Sequence, residues 1–372
     1  MFGKEFIPYG KHKISKDDIQ SVIDVLKSDF LTQGPKIKEF EDKVAHKVGS
    51  KYAISSNSAT SALHIACLAL GLSKNDILWT SSITFVASAN VGRYCGAKVD
   101  FVEIDFNTGL ISINALTEKL EIAKKNNKLP KIFIPVHLAG SSCDMEEIYK
   151  LSIKYGFNII EDASHAIGGS YRNTKVGSCK YSDITVFSFH PVKIITSGEG
   201  GIATTNDPNL ARKMKVFSNH GITKDFKEFI GSSKELWNYE MQCLGFNYRL
   251  TDLQCALGIS QLKKLNQIVE KRNLILKDYK RLLSNDSISI LEIPKDVRSA
   301  VHLAVILFSN CSDSKYKKIF NYFRSRNIGV QLHYYPVHLQ PYYKELGFKE
   351  GYLPVSEKYA KSAISVPVYP EL

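Results

Sequence analysis

The stretch TVFSFHPVKIITSGEGGIATTND, Thr185 to Asp207, sets one lysine between two unlike textures. Before it, "TVFSF" has the β-branched and aromatic residues of a short buried strand. After it, "TSGEGG" is a glycine turn, where missing Cβ atoms allow tight bends and close backbone approach. An exposed lysine needs no such setting. A lysine lodged in a partly dry site has its charged form disfavoured and becomes a nucleophile for carbonyls. Lys193 is therefore read as a lysine placed to condense with a carbonyl group.

On both sides of this stretch, strand and helix patterns alternate. "ILWTS", "KVDFVEI", "KIFIPVH", "GFNIIEDAS" and "ITVFSFH" read as short buried strands. "TFVASANVGRYCG", "NALTEKLEIAKKN" and "DMEEIYKLSIKYG" read as the helices between them. Such alternation predicts an α/β domain with a mostly parallel sheet. Helical spacing also marks Ile14–Lys27, with Ser15 as N-cap, then Lys36–Val48 and about Thr60 to Leu70. From Leu250 a long helical pattern, broken or bent, runs to about Ser284. Strand, strand, helix and strand patterns follow it. The expected organisation is a large α/β domain over 1–250, whose N-terminal segment packs on the small domain, and a small α+β domain over 251–372.

Composition narrows the class. With 44% apolar and 23% charged residues, the chain of 372 residues has the make-up of a globular protein. No apolar run is long enough to cross a bilayer, so no membrane partner is expected. "MFGKEFIPYGKHKISKDD" lacks the apolar core of a signal peptide, which points to the cytoplasm. Cys67, Cys95, Cys143, Cys179, Cys243, Cys255 and Cys311 are scattered without a CxxC pair, against a disulfide framework or a zinc knuckle. The net charge of +12 is not gathered in a basic block interleaved with aromatics. That argues against nucleic acid and for a phosphorylated small substrate.

In α/β sheets ligands gather beyond the C-terminal strand ends, and four features fall there. "SSNSATSALH" puts small residues between a strand and a helix start, where N–H groups of Ala59 and Thr60 and the Thr60 hydroxyl suit a phosphate. Taken alone, an ordinary capped helix explains it better, and neither a dinucleotide nor an NTP fingerprint is present. Phe85 in "ITFVASAN" follows a strand and offers a ring for stacking, or is plain core. In "NIIEDASHAIGG", Asp162 ends an apolar strand, and a buried carboxylate needs a positive partner. Glu161 is the rival, but alternation lets only one of the two face the site. His165 lines a ring face or satisfies local backbone. Lys193 is the fourth feature, with Ser188 five residues earlier able to share the phosphate with Thr60. An aldehyde, a phosphate, a flat ring and a ring nitrogen that needs a carboxylate together describe pyridoxal 5′-phosphate. A metal enzyme built on His137, Cys143 and His165 fits no ligand spacing, so no metal is expected.

With "LTQGPKIKEFE", "NSATSALH", "PVHLAGSSCDM", "EDASHAIGG", "FSFHPVKIITSGEGG", "GFNYRLTDLQCALG" and "QLHYYP", the chain resembles the DegT/DnrJ/EryC1/StrS nucleotide-sugar aminotransferases. The resemblance covers nearly all of it. It implies an aspartate aminotransferase-like fold (PLP fold type I), with pyridoxamine phosphate as the amino-carrying form of the cofactor. It implies a homodimer with shared active sites, in which Asn247 of "NYR" reaches the partner's cofactor phosphate and Arg249 meets substrate anions. Some relatives replace the lysine by histidine and become dehydratases. Alignment on Ser188 and "GEGG" puts Lys193, not His190, at that position, which implies transamination. Thr32 and Gln33 of "LTQGP", and His333 and Tyr334 of "QLHYYP", are the candidate sugar contacts.

Within the family, "LTQG", "DASHAIG", "SFHPVK" and "HGITKD" look like the pseudaminic acid branch. That branch implies a UDP-sugar, UDP-2-acetamido-2,6-dideoxy-β-L-arabino-hexos-4-ulose, with L-glutamate as amino donor. Perosamine, bacillosamine and legionaminic acid precursors are the alternative substrates, and a non-catalytic pyridoxal phosphate-binding regulator is the alternative of another class. Family members usually continue through a further helix after "ISVPVYPEL", so the chain is expected to be truncated or its small domain to end early.

Overall fold

The buried runs assemble into a seven-stranded sheet in the computed structural model, which describes residues 6–231, 235–283, 287–309 and 311–372. Its strands are β1 (Tyr52–Ser56), β2 (Ile77–Ser81), β3 (Lys98–Val102), β4 (Ile132–Ile134), β5 (Asn158–Asp162), β6 (Ile184–Ser188) and β7 (Gly201–Thr205). They lie in the order β1-β7-β6-β5-β4-β2-β3. Only β7 runs against its neighbours; the other pairings are parallel. Every residue of β6 and β7 is buried, because helices cover both faces of such a sheet. Along β6, Ile184 and Val186 enter the core shared with Leu63 and Ala66. Phe187, with Phe189 just beyond, enters the core on the opposite face with Phe40 and Ile259. This is the two-residue period of a strand.

The helices begin where the sequence supplies caps. Helix α1 (Lys16–Leu26) starts at Ser15, whose side chain forms a capping box with Asp18. Helix α2 (Pro35–Val48) has proline at its first position and ends on Gly49 in the left-handed region. After β1 comes α3 (Ala59–Ala69), after β2 comes α4 (Ala87–Tyr94), and α5 (Ile113–Lys125), α6 (Met145–Tyr155) and α7 (Pro208–Ser218) complete the large layer.

The long pattern after Leu250 is two helices, α8 (Asp252–Lys263) and α9 (Leu265–Leu282), parted at Lys264. Helix α8 packs on α1 and α2, and its Cys255, Ile259 and Leu262 join the core of the large sheet. From α9, Leu276 joins a separate core under β8 (Ile288–Ile290), β9 (Ala304–Phe308) and β10 (Ala363–Val366), an antiparallel sheet in that order. Ser284, where the sequence placed the helix end, lies outside the described residues. The N-terminal segment lies along this smaller unit: Ile7 N–H donates to Asn327 and Val368 N–H to Tyr9. Among the described residues, no helix is long and apolar enough to cross a membrane.

Candidate active site

The turns that follow β1, β2, β5 and β6 meet at one cavity of about 610 Å3. Ala59, Thr60, Phe85, Asp162, His165, Ser188 and Lys193 all line it, and His333 and Tyr334 close it from the small-domain side.

At one end stands the start of α3. Ser58 caps the helix through Ser61, while the N–H groups of Ala59 and Thr60 belong to the first turn, which has no intrahelical acceptors. The reason for a glycine at position 201 lies here. A Cβ on Gly201 would sit 2.4 Å from both the Ser58 carbonyl and the Ala59 nitrogen. The glycine lets β7 press against this turn, and Ser188 stands beside it at the end of β6. Two free N–H groups, a hydroxyl on Thr60 and a hydroxyl on Ser188 make an anion cradle.

Asp162 ends β5 with 5% of its surface exposed. Its carboxylate accepts from Ser88 Oγ at 2.6 Å and from Ser164 N–H at 3.1 Å. Among the described residues it forms no ion pair. A buried carboxylate with only neutral donors is unstable without a cation, and a protonated ring nitrogen supplies one. Glu161, one residue earlier, points to the other face of β5 and is used up there by His137, Ser182 and Thr185. His137 accepts the Cys143 N–H at Nδ1, which leaves Nε2 to donate to Glu161 at 2.7 Å. Both its ring nitrogens are therefore committed within the fold.

Lys193 follows the turn after β6, with its backbone N–H donating to His190. Among the described residues its amine makes no ion pair. Burial pushes it down to about 8 from an ordinary 10.5, and the Asp162 charge offsets this only in part. Only the neutral amine attacks a carbonyl. Once the cofactor is stripped, trapping of Lys193 by a carbonyl reagent and borohydride, followed by peptide mass spectrometry, is therefore expected to rise through pH 8 and level off. A midpoint near the ordinary lysine value would contradict the dry site. His190 stands at the rim, 3.9 Å from Glu199.

Aromatic groups line the remaining walls. Tyr334 Oη lies 3.1 Å from His165 Nε2, and the two rings are stacked at 6.1 Å. The Phe85 ring is 6.4 Å from Tyr334 and largely exposed to the cavity mouth. Burial, then the Lys193 charge, holds His165 well below the usual imidazole range and His333 down to about 3. Both rings are neutral at physiological pH.

Four predicted residues stay outside the cavity of their own chain. Thr32 pairs with Thr251, and Gln33 beside it has φ 58°. Asn247 is exposed and pairs with Asn219, which also accepts from Arg249 at 2.6 Å. Ser88 and His302 escaped the sequence reading. Ser88 had a signal, since it lies three residues after Phe85 and thus one helical turn away. His302 had none, for it reaches the cavity from the small domain.

The sheet, its connections and this cavity are those of a type I pyridoxal phosphate enzyme. Its buried uncompensated carboxylate, desolvated lysine and anion cradle fit the cofactor's three polar ends. The DegT/DnrJ/EryC1/StrS aminotransferase family matches residues 12–372, and the chain belongs to that family. It is 39% identical over 367 residues to a UDP-4-amino-4,6-dideoxy-N-acetyl-beta-L-altrosamine transaminase of Campylobacter jejuni, covering 98% of this chain and 93% of the relative. Among solved structures, Helicobacter pylori PseC, an aminotransferase of pseudaminic acid biosynthesis, matches with TM-score 0.89 and 34% identity over 99% of this chain and 95% of that one. A sugar aminotransferase Spr1654 of Streptococcus pneumoniae in its PLP form matches with TM-score 0.88 and 26% identity, over 99% and 95% of the two chains. The protein is a pyridoxal phosphate-dependent sugar aminotransferase acting on nucleotide sugars.

Proposed function

We propose that the protein transfers the amino group of L-glutamate to C4 of UDP-2-acetamido-2,6-dideoxy-β-L-arabino-hexos-4-ulose, in pseudaminic acid biosynthesis. The observation that carries the reading is a desolvated lysine sharing one cavity with a buried carboxylate that forms no ion pair among the described residues. The Campylobacter transaminase, alike over nearly the whole length of both chains, supports the choice of sugar.

Bound pyridoxal phosphate supplies a carbonyl that exchanges amines and a ring that accepts electrons. Ala59, Thr60 and Ser188 bind its phosphate. Asp162 would hold the proton at the ring nitrogen, while Phe85 and His165 would face the ring. Lys193 is the catalytic base: its amine takes the proton from Cα of glutamate and later delivers one to C4 of the sugar. With a pKa near 8, about a tenth of it is free base at neutral pH, so it can both take and return a proton. His333 is anchored through Nδ1 to Ser365 at 2.8 Å, which leaves Nε2 for the sugar, beside Tyr334. Asn247, Arg249, Thr32 and Gln33 are assigned to the cavity of a second copy, with Asn247 at the phosphate and Arg249 at the diphosphate. The working unit is then a cytoplasmic homodimer.

The test supplies the L-arabino 4-keto sugar and its D-xylo epimer separately, with glutamate, and reads products by mass and NMR. Amination of the L-arabino sugar alone is expected. Amination of the D-xylo epimer alone would reassign the pathway to the bacillosamine or legionaminic side.

A further inference from the structure

His302 lines the cavity from the segment just before β9, and no hydrogen bond among the described residues holds its Nδ1. It is 3% exposed, and its Nδ1 has no partner. Its ring lies 4.3 Å from that of His165, tilted by 43°. His165 Nδ1 has no partner either. The two imidazoles therefore meet by ring contact and not by a hydrogen bond.

The backbone behind His302 is held in an unfavourable shape. Val301 has φ 51°, a left-handed conformation that a β-branched residue rarely adopts. Such strain persists only where the surroundings over-determine it, and it gathers at functional sites. Here they do. Val301 N–H donates to Ser299 Oγ at 3.0 Å. Ala300 N–H donates to Gly140, and His302 N–H to Ala139, at 3.0 and 2.9 Å. Ala139 and Gly140 are themselves left-handed, at 58° and 102°. A Cβ on Gly140 would fall 2.7 Å from the Val301 nitrogen, so the two turns interlock only with glycine there. Behind them Arg272, 1% exposed, donates to the carbonyls of Val301, His302 and Val368. The whole assembly fixes the direction of one side chain, His302, which lines the cavity. Burial, then the neighbouring His165 and Lys193, holds this imidazole well below its usual range, so it acts as a neutral flat ring.

We propose that His302 is a positioning residue that backs the His165 ring and fixes its plane against the cofactor ring. The role rests on the reading of His165 as a ring-facing residue. A pure space-filler would need neither a flat ring nor an aimed backbone.

The test titrates pyridoxal 5′-phosphate into stripped full-length protein. It reads the dissociation constant and the pH midpoint of the bound cofactor's visible absorbance. His302→Ala is expected to weaken binding about three- to tenfold, the worth of one ring pair, and to move the midpoint. His302→Phe, which keeps a flat ring and drops the unpartnered nitrogen, is expected to restore both, whereas His302→Leu is not. This Phe–Leu contrast decides the matter even if thermal unfolding shows the alanine variant to be unfolded. In the double variant with His165→Ala, binding is expected to be no weaker than in His165→Ala alone. Multiplying losses in the double variant, equal behaviour of Phe and Leu, or an unchanged His302→Ala beside a weakened His165→Ala would overturn the proposal alone. Wild-type binding by His165→Ala would overturn the ring-facing reading and the proposal with it.

Discussion

Lys193→Ala is expected to lose amino transfer by about a thousandfold or more, with the fold intact. On the proposed mechanism Lys193 is the amine that both exchanges with the substrate amino group and moves the proton, and no neighbour among the described residues can take over either task. His190, three residues earlier, sits at the rim near Glu199. His165 and His333 are too weakly basic, held down first by burial, which the substitution leaves in place. The fold does not depend on the lysine, which makes no ion pair among the described residues. The net downward shift of Lys193 means that the burial penalty exceeds the Asp162 attraction lost with it, so the melting temperature of the stripped variant is expected to equal or exceed that of the wild type. Single-turnover amination, followed by mass spectrometry of the sugar product, measures the loss. A variant retaining more than about a tenth of the wild-type rate would remove Lys193 from the chemistry.

The parts of the site that could be read in the sequence are those in which one short segment carries the whole signal. Asp162 and Ser188 end apolar runs, Thr60 opens a helix behind small residues, and Lys193 stands before glycines. All four reach the cavity because parallel strands deliver their C-terminal ends to one edge. Gly201 shows how far such a segment speaks. Its need for a bare Cα is local in sequence, but the atoms that require it belong to Ser58 and Ala59. His302 is illegible for the opposite reason: "VHLAVILF" is an unremarkable strand approach, and only the interlocked turn at Ala139 and Gly140 turns its imidazole inward. The break at Lys264 is a tertiary effect as well. Apolar spacing continues through it because Ile259 and Leu262 of α8 and Leu265 and Val269 of α9 enter the same core, and only further along does Leu276 of α9 turn to the smaller one. At the break the Lys264 amine donates to the fully buried Asp18 carboxylate of α1 at 2.8 Å. Thr32, Gln33 and Asn247 are exposed, Arg249 is half-buried, and all four lie outside the cavity of their own chain, so motif resemblance alone assigned them to ligands.

Asp162→Asn is expected to lower turnover about a hundredfold or more and to change stability with opposite signs in the stripped and loaded protein. The substitution keeps the shape and the acceptor oxygen, so Ser88 or Ser164 retains a partner, but it removes the charge. In the stripped protein the Asp162 carboxylate is 5% exposed, its hydrogen-bond donors are neutral, and the Lys193 charge acts on it without forming an ion pair. A buried charge without a direct ion pair is destabilising, and the asparagine is expected to raise the melting temperature. In the loaded protein the same carboxylate has a protonated ring nitrogen to face. There the asparagine loses a charge-assisted hydrogen bond, and the increase in melting temperature on adding pyridoxal phosphate is expected to shrink. Two thermal melts of each protein, without and with the cofactor, measure both effects and do not depend on any sugar substrate. If the cofactor stabilised both proteins equally, Asp162 would have no partner on the ring, and the pairing of carboxylate and lysine that carries the proposed function would lose its first member.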